Sequence, residues 1–179
     1  MNNIYNFSPG PSKLPQSVID RVENSINHYK NTGKSILEIS HRSNEFDEIL
    51  NEINNNFLNL FNFPNDVNIL LLQGGATFQN SLIPMNIDER CKLGCFVTGT
   101  WGKKTSEDFT KILNNVEIIE TNKNNLEHYL QKEYTGFQNT DYLHMTSNET
   151  IEGIQIQDFN SMNHGNLIID MSSDLGSYN

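Results

Sequence analysis

The chain has 179 residues and carries 12 Lys and Arg against 22 Asp and Glu, so its formal net charge is −10. This length allows one domain with a substantial hydrophobic core and is short for two. The acidic charge argues against nonspecific nucleic-acid binding, because the phosphates would be repelled. No stretch approaches the roughly 20 apolar residues of a membrane span, and the start of the chain lacks the pattern of a secretion signal. We therefore expect a cytoplasmic protein with no membrane or nucleic-acid partner.

The two cysteines, Cys91 and Cys95, have no matching histidine cluster in the sequence. Two thiols in this setting predict neither a disulfide framework nor a zinc site. We expect free thiols, as in a reducing cytoplasm, and no bound metal.

Two amphipathic helices are predicted in the first third of the chain. In the first, apolar residues recur at helical spacing from Val18 to Tyr29, and Gly33 follows as a stop signal. The second begins near Ser43 or Asn44 and ends before Pro64. Its apolar stripe is expected to belong to the core: Phe46, Ile49, Leu50, Ile53, Phe57 and Phe61.

Short apolar runs then replace the helical spacing and predict five β-strands. These runs are Val67–Leu72, Leu93–Val97, Val116–Ile119, Tyr142–Met145 and Leu167–Ile169. Helical patterns lie between some of them, at Phe109, Ile112 and Leu113 and at Leu126–Leu130. Strands that alternate with helices predict an α/β fold with a mainly parallel sheet and flanking helices. Ligands of such sheets bind at the carboxyl ends of the strands, so the residues after each strand are the functional candidates.

The segment Gln73–Thr77 follows the first predicted strand and leads into a predicted helix. Its small residues, Gly74 and Gly75 among them, let a ligand approach the backbone, and the free N–H groups of a helix start attract an anion. The segment is a candidate phosphate site. A plain strand-to-helix turn is the alternative.

Three further strand ends carry candidate residues. Trp101, the only tryptophan, follows the second predicted strand and is suited either to stacking on a planar cofactor or to packing in the core. Residues 146–153, after the fourth strand, are rich in hydroxyl and amide groups that would bind a ligand or cap a helix. Asp170 ends the fifth strand, where a carboxylate holds a cation, a metal or a protonated ring nitrogen, or caps the next turn.

Arg42 lies at the predicted entrance of the second helix, in the segment Ser40–Ser43. Its planar guanidinium matches a pair of carboxylate or phosphate oxygens, which makes it a candidate anion clamp. A surface ion pair with Glu45 or Asp47 is the alternative.

Six motifs in chain order resemble those of the phosphoserine aminotransferases, class-V enzymes of fold type I that depend on pyridoxal 5′-phosphate (PLP). The motifs are Asn6–Pro11, Glu38–Ser43, Leu72–Thr77, Thr98–Trp101, Ser147–Gly153 and Asp170–Asp174. Each is only moderately specific, but six in register are highly so. The resemblance implies a PLP-dependent transferase fold, with residues 1–15 as an N-terminal segment and 16–179 as an incomplete PLP-binding large domain. Pro9 departs from the family, which usually carries a small residue there.

The resemblance also assigns cofactor roles to five residues. Asp170 would pair with the pyridinium nitrogen of PLP and keep it protonated, so that the ring can absorb electrons. Trp101 would stack on the ring, and Thr150 would hydrogen-bond the cofactor. Ala76 and Thr77 would bind its phosphate through the backbone and the hydroxyl.

Arg42, assisted by His41, would hold the anionic groups of the substrates. The implied reaction is amino transfer from glutamate to 3-phosphohydroxypyruvate, which yields phosphoserine in serine biosynthesis. Members of the family are homodimers.

The family's Schiff-base lysine lies beyond the Asp170–Asp174 motif, and none of the nine lysines of this chain follows that motif. We therefore assign no catalytic residue and expect the polypeptide alone to be inactive, as a truncated product, a pseudogene-like remnant or half of a split enzyme. A non-catalytic binding or regulatory subunit is the rival interpretation. A related fold-type-I enzyme, such as an alanine–glyoxylate aminotransferase or a cysteine desulfurase, is the other, although Ser40–Arg42 and Asn148–Thr150 favour the phosphoserine enzyme.

In fold-type-I enzymes, as the resemblance implies, the last two strands of the large sheet lie between the first strand and the others. We therefore expect Val67–Leu72 to be separated from the other strands in this chain, with unpaired sheet edges.

Overall fold

The computed structural model describes residues 4–8, 10–64, 66–122, 124–126, 130 and 136–177. The chain divides into two compact units, Met1–Leu71 and Leu72–Asn179. The expected domain boundary after residue 15 stays a prediction. The departure from the family at Pro9 lies outside the described residues.

The first unit contains the two predicted helices, α1 (Gln16–Asn27) and α2 (Asn44–Leu60). The Ser43 hydroxyl accepts a hydrogen bond from the Phe46 amide at 3.3 Å and caps the start of α2. Glu45 and Asp47 lie in the first turn of α2, where their charge suits the helix dipole. The predicted start of this helix at Ser43 or Asn44 is therefore confirmed.

The apolar stripe of α2 is not a buried core, and that expectation is wrong. No residue of α1 or α2 is fully buried, and the stripe from Phe46 to Phe61 is half-buried throughout. The α1 residues Val18 and Val22 are 40% and 51% exposed. Helical spacing determines which face of a helix is apolar, but it carries no information about what covers that face.

The second unit is built on a four-stranded parallel sheet. Its strands are β1 (Leu93–Val97), β2 (Val116–Glu120), β3 (Tyr142–Thr146) and β6 (Leu167–Asp170). Their order across the sheet is β2-β1-β3-β6. Every residue of β1 is buried, as expected for a continuous apolar run at the centre of a parallel sheet. Four of the five predicted strands and the mainly parallel sheet are thus confirmed.

The described residues of this unit also form two α-helices, a short hairpin and the two 3₁₀ helices Gly136–Asn139 and Phe159–Met162. The helices are α3 (Ala76–Met85) and α4 (Thr100–Phe109), each of which follows a glycine. The hairpin pairs β4 (Asn148–Glu149) with β5 (Ile154–Gln155) in antiparallel register, directly after β3. The sequence predicts only a polar loop in this region, because two-residue strands leave no periodic pattern.

Alternation along the strands assigns each side chain to one face of the sheet. Phe109, the last residue of α4, packs in a cluster with Cys95 and Val97 of β1. The His144 ring meets the Phe109 ring edge-on at 5.0 Å between centroids, and Ile168 packs against the same cluster. Thr146 and Asp170, two residues after His144 and Ile168, therefore share the face that α4 covers. The opposite face carries the other cluster: Phe96, Phe137, Leu143, Met145, Ile156 and Met162.

Two sequence predictions differ from the structure. Val67–Leu72 is not assigned as a strand, and Leu70 is 74% exposed, so its prediction as a buried strand is wrong. The segment is not part of the four-stranded sheet, and its expected separation from the other strands stays a prediction. The helical pattern predicted at Phe109–Leu113 lies at the end of α4 and in the turns that follow it. The buried side of α4 is made largely of small residues, Gly102, Thr105 and Ser106, so the earlier part of this helix has no apolar stripe in the sequence.

The predicted helix at Leu126–Leu130 falls largely outside the described residues. Within the described residues, no helix combines the length and the hydrophobicity needed to cross a membrane.

Candidate functional site

The candidate site lies at the carboxyl edge of the parallel sheet, where β1, β3 and β6 end together. Thr146, the last residue of β3, is directly opposite Asp170, the last residue of β6. β1 ends at Val97, and α4 begins after Thr98 and Gly99. Parallel pairing therefore brings together the residues that follow three separate strands.

Glu149 of β4 connects the hairpin to the start of α4. Its side chain is fully buried, and its two oxygens accept hydrogen bonds from the amides of Trp101 and Gly102, each at 2.8 Å. Burial raises the pKa of the Glu149 carboxyl, the two amides oppose that rise, and the neighbouring carboxylates of Glu152 and Asp170 add to it. A buried acid thus satisfies two of the free N–H groups with which the helix begins.

A second carboxylate of the hairpin binds the same helix end from the solvent side. Glu152 accepts hydrogen bonds from the Thr100 amide at 3.0 Å and from the Thr100 hydroxyl at 2.6 Å. The Thr100 hydroxyl is the main reason why the pKa of Glu152 is lowered. Gly99 makes this approach possible, because a Cβ there would lie 2.5 Å from an oxygen of Glu152 and 2.8 Å from Cδ of Glu149.

Trp101 is joined directly to Thr150. The indole Nε1 donates a hydrogen bond to the Thr150 hydroxyl oxygen at 3.0 Å, and the side-chain ammonium of Lys104 lies 6.0 Å from the indole centroid. Trp101 remains 42% exposed, so it is not an ordinary core residue. The structure therefore brings together two residues that the sequence analysis singled out on separate motifs.

Asp170 is half-buried at the end of β6. One carboxylate oxygen, Oδ1, accepts hydrogen bonds from the Ser172 amide at 3.0 Å and from the Ser172 hydroxyl at 2.6 Å. These bonds make Asp170 a capping residue through one oxygen only. Among the described residues, the other oxygen has no hydrogen-bond donor.

Two buried side chains of β3 face the same region. Burial lowers the pKa of His144 to about 4, although the carboxylate of Asp170 opposes this shift. The Thr146 hydroxyl is buried and has no hydrogen-bond partner among the described residues. An unpaired buried hydroxyl costs about 1–3 kcal/mol, so its position beside Asp170 is energetically unfavourable unless something binds there.

The Asp170–Asp174 motif also contains a structural acid that sequence reasoning missed. Asp174 is 3% exposed; it accepts hydrogen bonds from the Ser147 hydroxyl at 2.5 Å and from Gln155 Nε2 at 3.1 Å. These contacts tie the motif after β6 to the hairpin after β3. No local pattern around Asp174 signals them, because both partners lie about twenty or more residues earlier in the chain.

Ala76 and Thr77 lie in the exposed first turn of α3. The preceding residue, Gly75, caps this helix without a side-chain hydrogen bond, and the first turn contains no acidic residue. Gly74 has a φ of +90°, and a Cβ there would lie 2.8 Å from the ring of Phe78, so the turn requires glycine. The α3 amides are therefore open to an anion.

Asn80 anchors the next turn of α3 against α4. Its side chain accepts a hydrogen bond from the Thr105 hydroxyl and donates one to Asp108, each at 3.3 Å. The two helices thus form a connected support on the face of the sheet that carries Asp170.

Arg42 and His41 belong to the first unit, where both side chains are exposed. Within the described residues, Arg42 forms no ion pair with Glu45 or Asp47. Similarly, no group of three or more His, Cys, Asp or Glu side chains in the described part of the chain could hold a metal ion.

Known proteins are similar to this chain in both sequence and fold. A phosphoserine aminotransferase from Bacillus cereus is 39% identical over 178 residues, which are 98% of this chain and 49% of the relative. The enzyme from Alkalihalobacillus alcalophilus is 37% identical with the same coverage. The chain thus spans about half the length of the curated relatives it matches.

Solved structures of phosphoserine aminotransferases are also similar to this chain. Phosphoserine aminotransferase from Bacillus circulans subsp. alkalophilus matches with a TM-score of 0.84 and 35% identity over 97% of this chain and 48% of the other. The PLP-bound enzyme from Trichomonas vaginalis matches with a TM-score of 0.77 and 31% identity over 96% of this chain and 52% of the other. The family model for class-V aminotransferases covers residues 4–178. This chain is a member of the class-V aminotransferase family.

Proposed function

We propose that this chain binds PLP as part of a phosphoserine aminotransferase, which transfers an amino group from glutamate to 3-phosphohydroxypyruvate. The proposal rests on one observation above all. One parallel sheet and its supporting helices carry three features: an uncapped helix start, a half-exposed tryptophan, and a strand-end carboxylate. One oxygen of that carboxylate has no hydrogen-bond donor among the described residues.

The residues present fit PLP. The uncapped amides at Ala76 and Thr77 suit a phosphate, because helix starts bind anions and this one has no acid in its first turn. The second oxygen of Asp170 suits the proton on a pyridine nitrogen. The Thr146 hydroxyl opposite Asp170, which is buried without a partner in the described structure, is an independent sign that a polar group is accommodated there.

When bound, PLP supplies a protonated ring that accepts electrons from the α-carbon of the amino acid. The role of Asp170 is to hold the ring proton, and its bonds from Ser172 fix the orientation of the carboxylate. The Thr150 hydroxyl accepts from Trp101, so its own proton can be donated to the cofactor. The indole of Trp101 offers an exposed aromatic face for stacking.

The substrates are dicarboxylate or phosphorylated anions, and Arg42 is the side chain proposed to bind them, assisted by His41. The exposed guanidinium of Arg42 supports this role, since its donors match two oxygens and no ion pair occupies them within the described residues. Homodimer formation, which the resemblance implies, and a cytoplasmic location, which the sequence composition favours, complete the proposal.

Titration of the purified chain with PLP tests the cofactor site. Binding should quench the fluorescence of the single tryptophan, and Asp170→Asn should weaken the affinity about tenfold or more, because the ring proton loses its anionic partner. Glu120→Gln, which removes an exposed acid at the end of β2, is the matched control and should leave the affinity unchanged. Equal affinity of the Asp170→Asn variant and the unmodified chain would contradict the assignment.

Amino transfer itself is measured as phosphoserine formed from glutamate and 3-phosphohydroxypyruvate. The assay compares the chain alone with the chain mixed with the second half of the Bacillus cereus relative. Phosphoserine formation in the mixture supports the proposed reaction. Saturable PLP binding without phosphoserine formation in either sample would favour a non-catalytic binding subunit instead.

A further inference from the structure

Glu149 is the most deeply buried acid of the described structure, with an exposed fraction of 0%. Both of its oxygens are used on the first turn of α4, one on the amide of Trp101 and the other on that of Gly102. It is also the residue next to Thr150 in the hairpin. One carboxylate therefore connects the backbone of Trp101 to the backbone of Thr150.

The carboxylate is held tightly on its helix side. A Cβ at Gly102 would lie 3.0 Å from Oε1 of Glu149, and a Cβ at Gly99 would lie 2.8 Å from its Cγ and Cδ. The side chains of Trp101 and Thr150 are hydrogen-bonded to each other as well. Glu152 adds a further link between the hairpin and the helix, through Thr100. Because Glu149 is next to Thr150 in the chain and bonds the amide of Trp101, a shift of Glu149 would displace both residues together.

We propose that Glu149 is a positioning residue of the cofactor site, whose buried carboxylate holds the Trp101 indole and the Thr150 hydroxyl in one fixed arrangement. This role rests on the proposed function for its cofactor readout, but the arrangement itself is a property of this chain. Glu149 binds no cofactor directly. It acts through the first turn of α4.

Several groups surround Glu149 and determine its charge. Burial raises its pKa above the ordinary value of 4.5, the amides of Gly102 and Trp101 lower it, and the carboxylates of Glu152 and Asp170 raise it. His144, which interacts with Asp170, is neutral near pH 7 because burial lowers its pKa to about 4. A proton on Glu149 would remove the negative charge from the hydrogen bonds that hold Trp101.

The first test compares Glu149→Gln with Glu152→Gln. Glutamine keeps the shape of Glu149 but presents an N–H₂ donor to one of the two amide donors, so that link is lost. The emission of Trp101, the only tryptophan, should shift to longer wavelength, and PLP affinity should fall about tenfold. Glu152→Gln alters the exposed acid on the same helix end and should change PLP affinity less than about twofold.

Thermal melts establish that each variant is folded. A folded Glu149→Gln variant with unchanged tryptophan emission would overturn the positioning role, whether or not PLP binds. If the unmodified chain fails to bind PLP, the proposed function fails, while the emission result still decides the role of Glu149. If the unmodified chain binds PLP and a folded Glu149→Gln variant binds it equally tightly, the positioning role of Glu149 is contradicted, while the proposed function is not.

A second measurement tests the role of Glu149 without any substitution at that residue, so it does not depend on whether Glu149→Gln folds. Tryptophan emission of the unmodified chain and of Glu152→Gln is followed as the pH falls from 8 to 4. Both should show a transition, because Glu149 is the acid that bonds the Trp101 amide, and in the unmodified chain its midpoint should lie above pH 4.5. In Glu152→Gln the midpoint should lie at lower pH, because that variant removes a carboxylate that raises the pKa of Glu149. A flat profile in the folded chain, or a transition that disappears in Glu152→Gln, would contradict the role of Glu149.

Discussion

The starts of α3 and α4 are alike in local sequence and opposite in environment. Each helix follows a glycine in extended conformation, Gly75 or Gly99, neither has a side-chain cap, and neither has an acid in its first turn. Yet the α4 amides are occupied by Glu149 and Glu152, which lie about fifty residues later in the chain. The amides at Ala76 and Thr77 of α3 receive no such acid from the described residues.

This difference supports the proposed anion site at the start of α3. A helix start attracts negative charge wherever it occurs, and in α4 the protein's own carboxylates have already met that demand. An incoming phosphate would be repelled there by two acids, whereas α3 offers it free donors. The two helix starts also differ in whether the preceding position requires glycine. A Cβ at Gly99 would contact both acids, but a Cβ at Gly75 meets nothing within 4 Å.

The largest expected effect concerns the support beneath α4, where His144 packs against Phe109. The folded-state pKa of His144 is lowered from 6.5 to about 4, so folding favours the neutral ring. Its contribution to stability is fully present above pH 6.5 and is lost as the pH falls toward 4, by about 3 kcal/mol in total. Denaturant unfolding of the unmodified chain and of His144→Phe between pH 7 and pH 4 measures this loss, which the variant should lack.

The control for that experiment is His28→Phe, which replaces an exposed histidine of the first unit. It should retain the pH dependence of the unmodified chain. The same pH dependence in His144→Phe would show that another group is responsible.

The second prediction tests the two glycines directly. Gly99→Ala should lower the free energy of unfolding by about 2 kcal/mol, because its Cβ would press on the buried side chain of Glu149. Gly75→Ala should cost less than about 1 kcal/mol, since the space beside it is open and only the cap preference changes. Thermal or urea unfolding compares the two variants, and equal losses would remove the distinction between the helix starts.

The third prediction converts α3 into a copy of α4. Gly75→Asp supplies the missing acid at the helix start, so PLP affinity should fall about tenfold through repulsion of its phosphate. Gly75→Asn caps the same amides without charge and is the matched control, with a smaller loss. Fluorescence titration with PLP measures both affinities. If Gly75→Asp binds PLP as tightly as Gly75→Asn, then charge at α3 does not decide binding.

The smallest effect is expected at Glu152, the exposed acid of the hairpin that bonds the start of α4. Glu152→Gln should lower the free energy of unfolding by only about 0.5 kcal/mol, because a solvent-exposed charge near a helix start is well screened. Unfolding measured at low and at high salt checks this, since added salt should reduce the difference. A loss as large as that of Gly99→Ala would mean that Glu152, and not Glu149, is the main cap of α4.

Much of the second unit is predictable from sequence because its signals are local. The continuous apolar run Leu93–Val97 is confirmed as the buried central strand, and the expected position of Asp170 at a strand end is confirmed as well. Val67–Leu72 has the same apolar character but forms no strand, since a strand also requires a hydrogen-bonded neighbour. For the same reason the α2 stripe indicates an apolar face but not its burial.

Glu149 is predicted from sequence only as one member of a polar loop, and no neighbouring residue in the chain indicates that its side chain is buried. Its partners, the amides of Trp101 and Gly102, are backbone groups nearly fifty residues away, and backbone amides carry no sequence signature. The sequence likewise does not indicate that the Thr146 hydroxyl is buried without a hydrogen-bond partner among the described residues. That state depends on how the strands of the sheet are arranged.

The amino-acid sequence alone determined the alternation of strands and helices, the parallel sheet and the positions of polar residues after each strand, because periodicity and turn chemistry are properties of neighbouring residues. Only the tertiary structure decided which helix start is occupied and which is open. That choice depends on carboxylates brought from distant parts of the chain to within hydrogen-bonding distance, and such contacts form only when the strands pair in register.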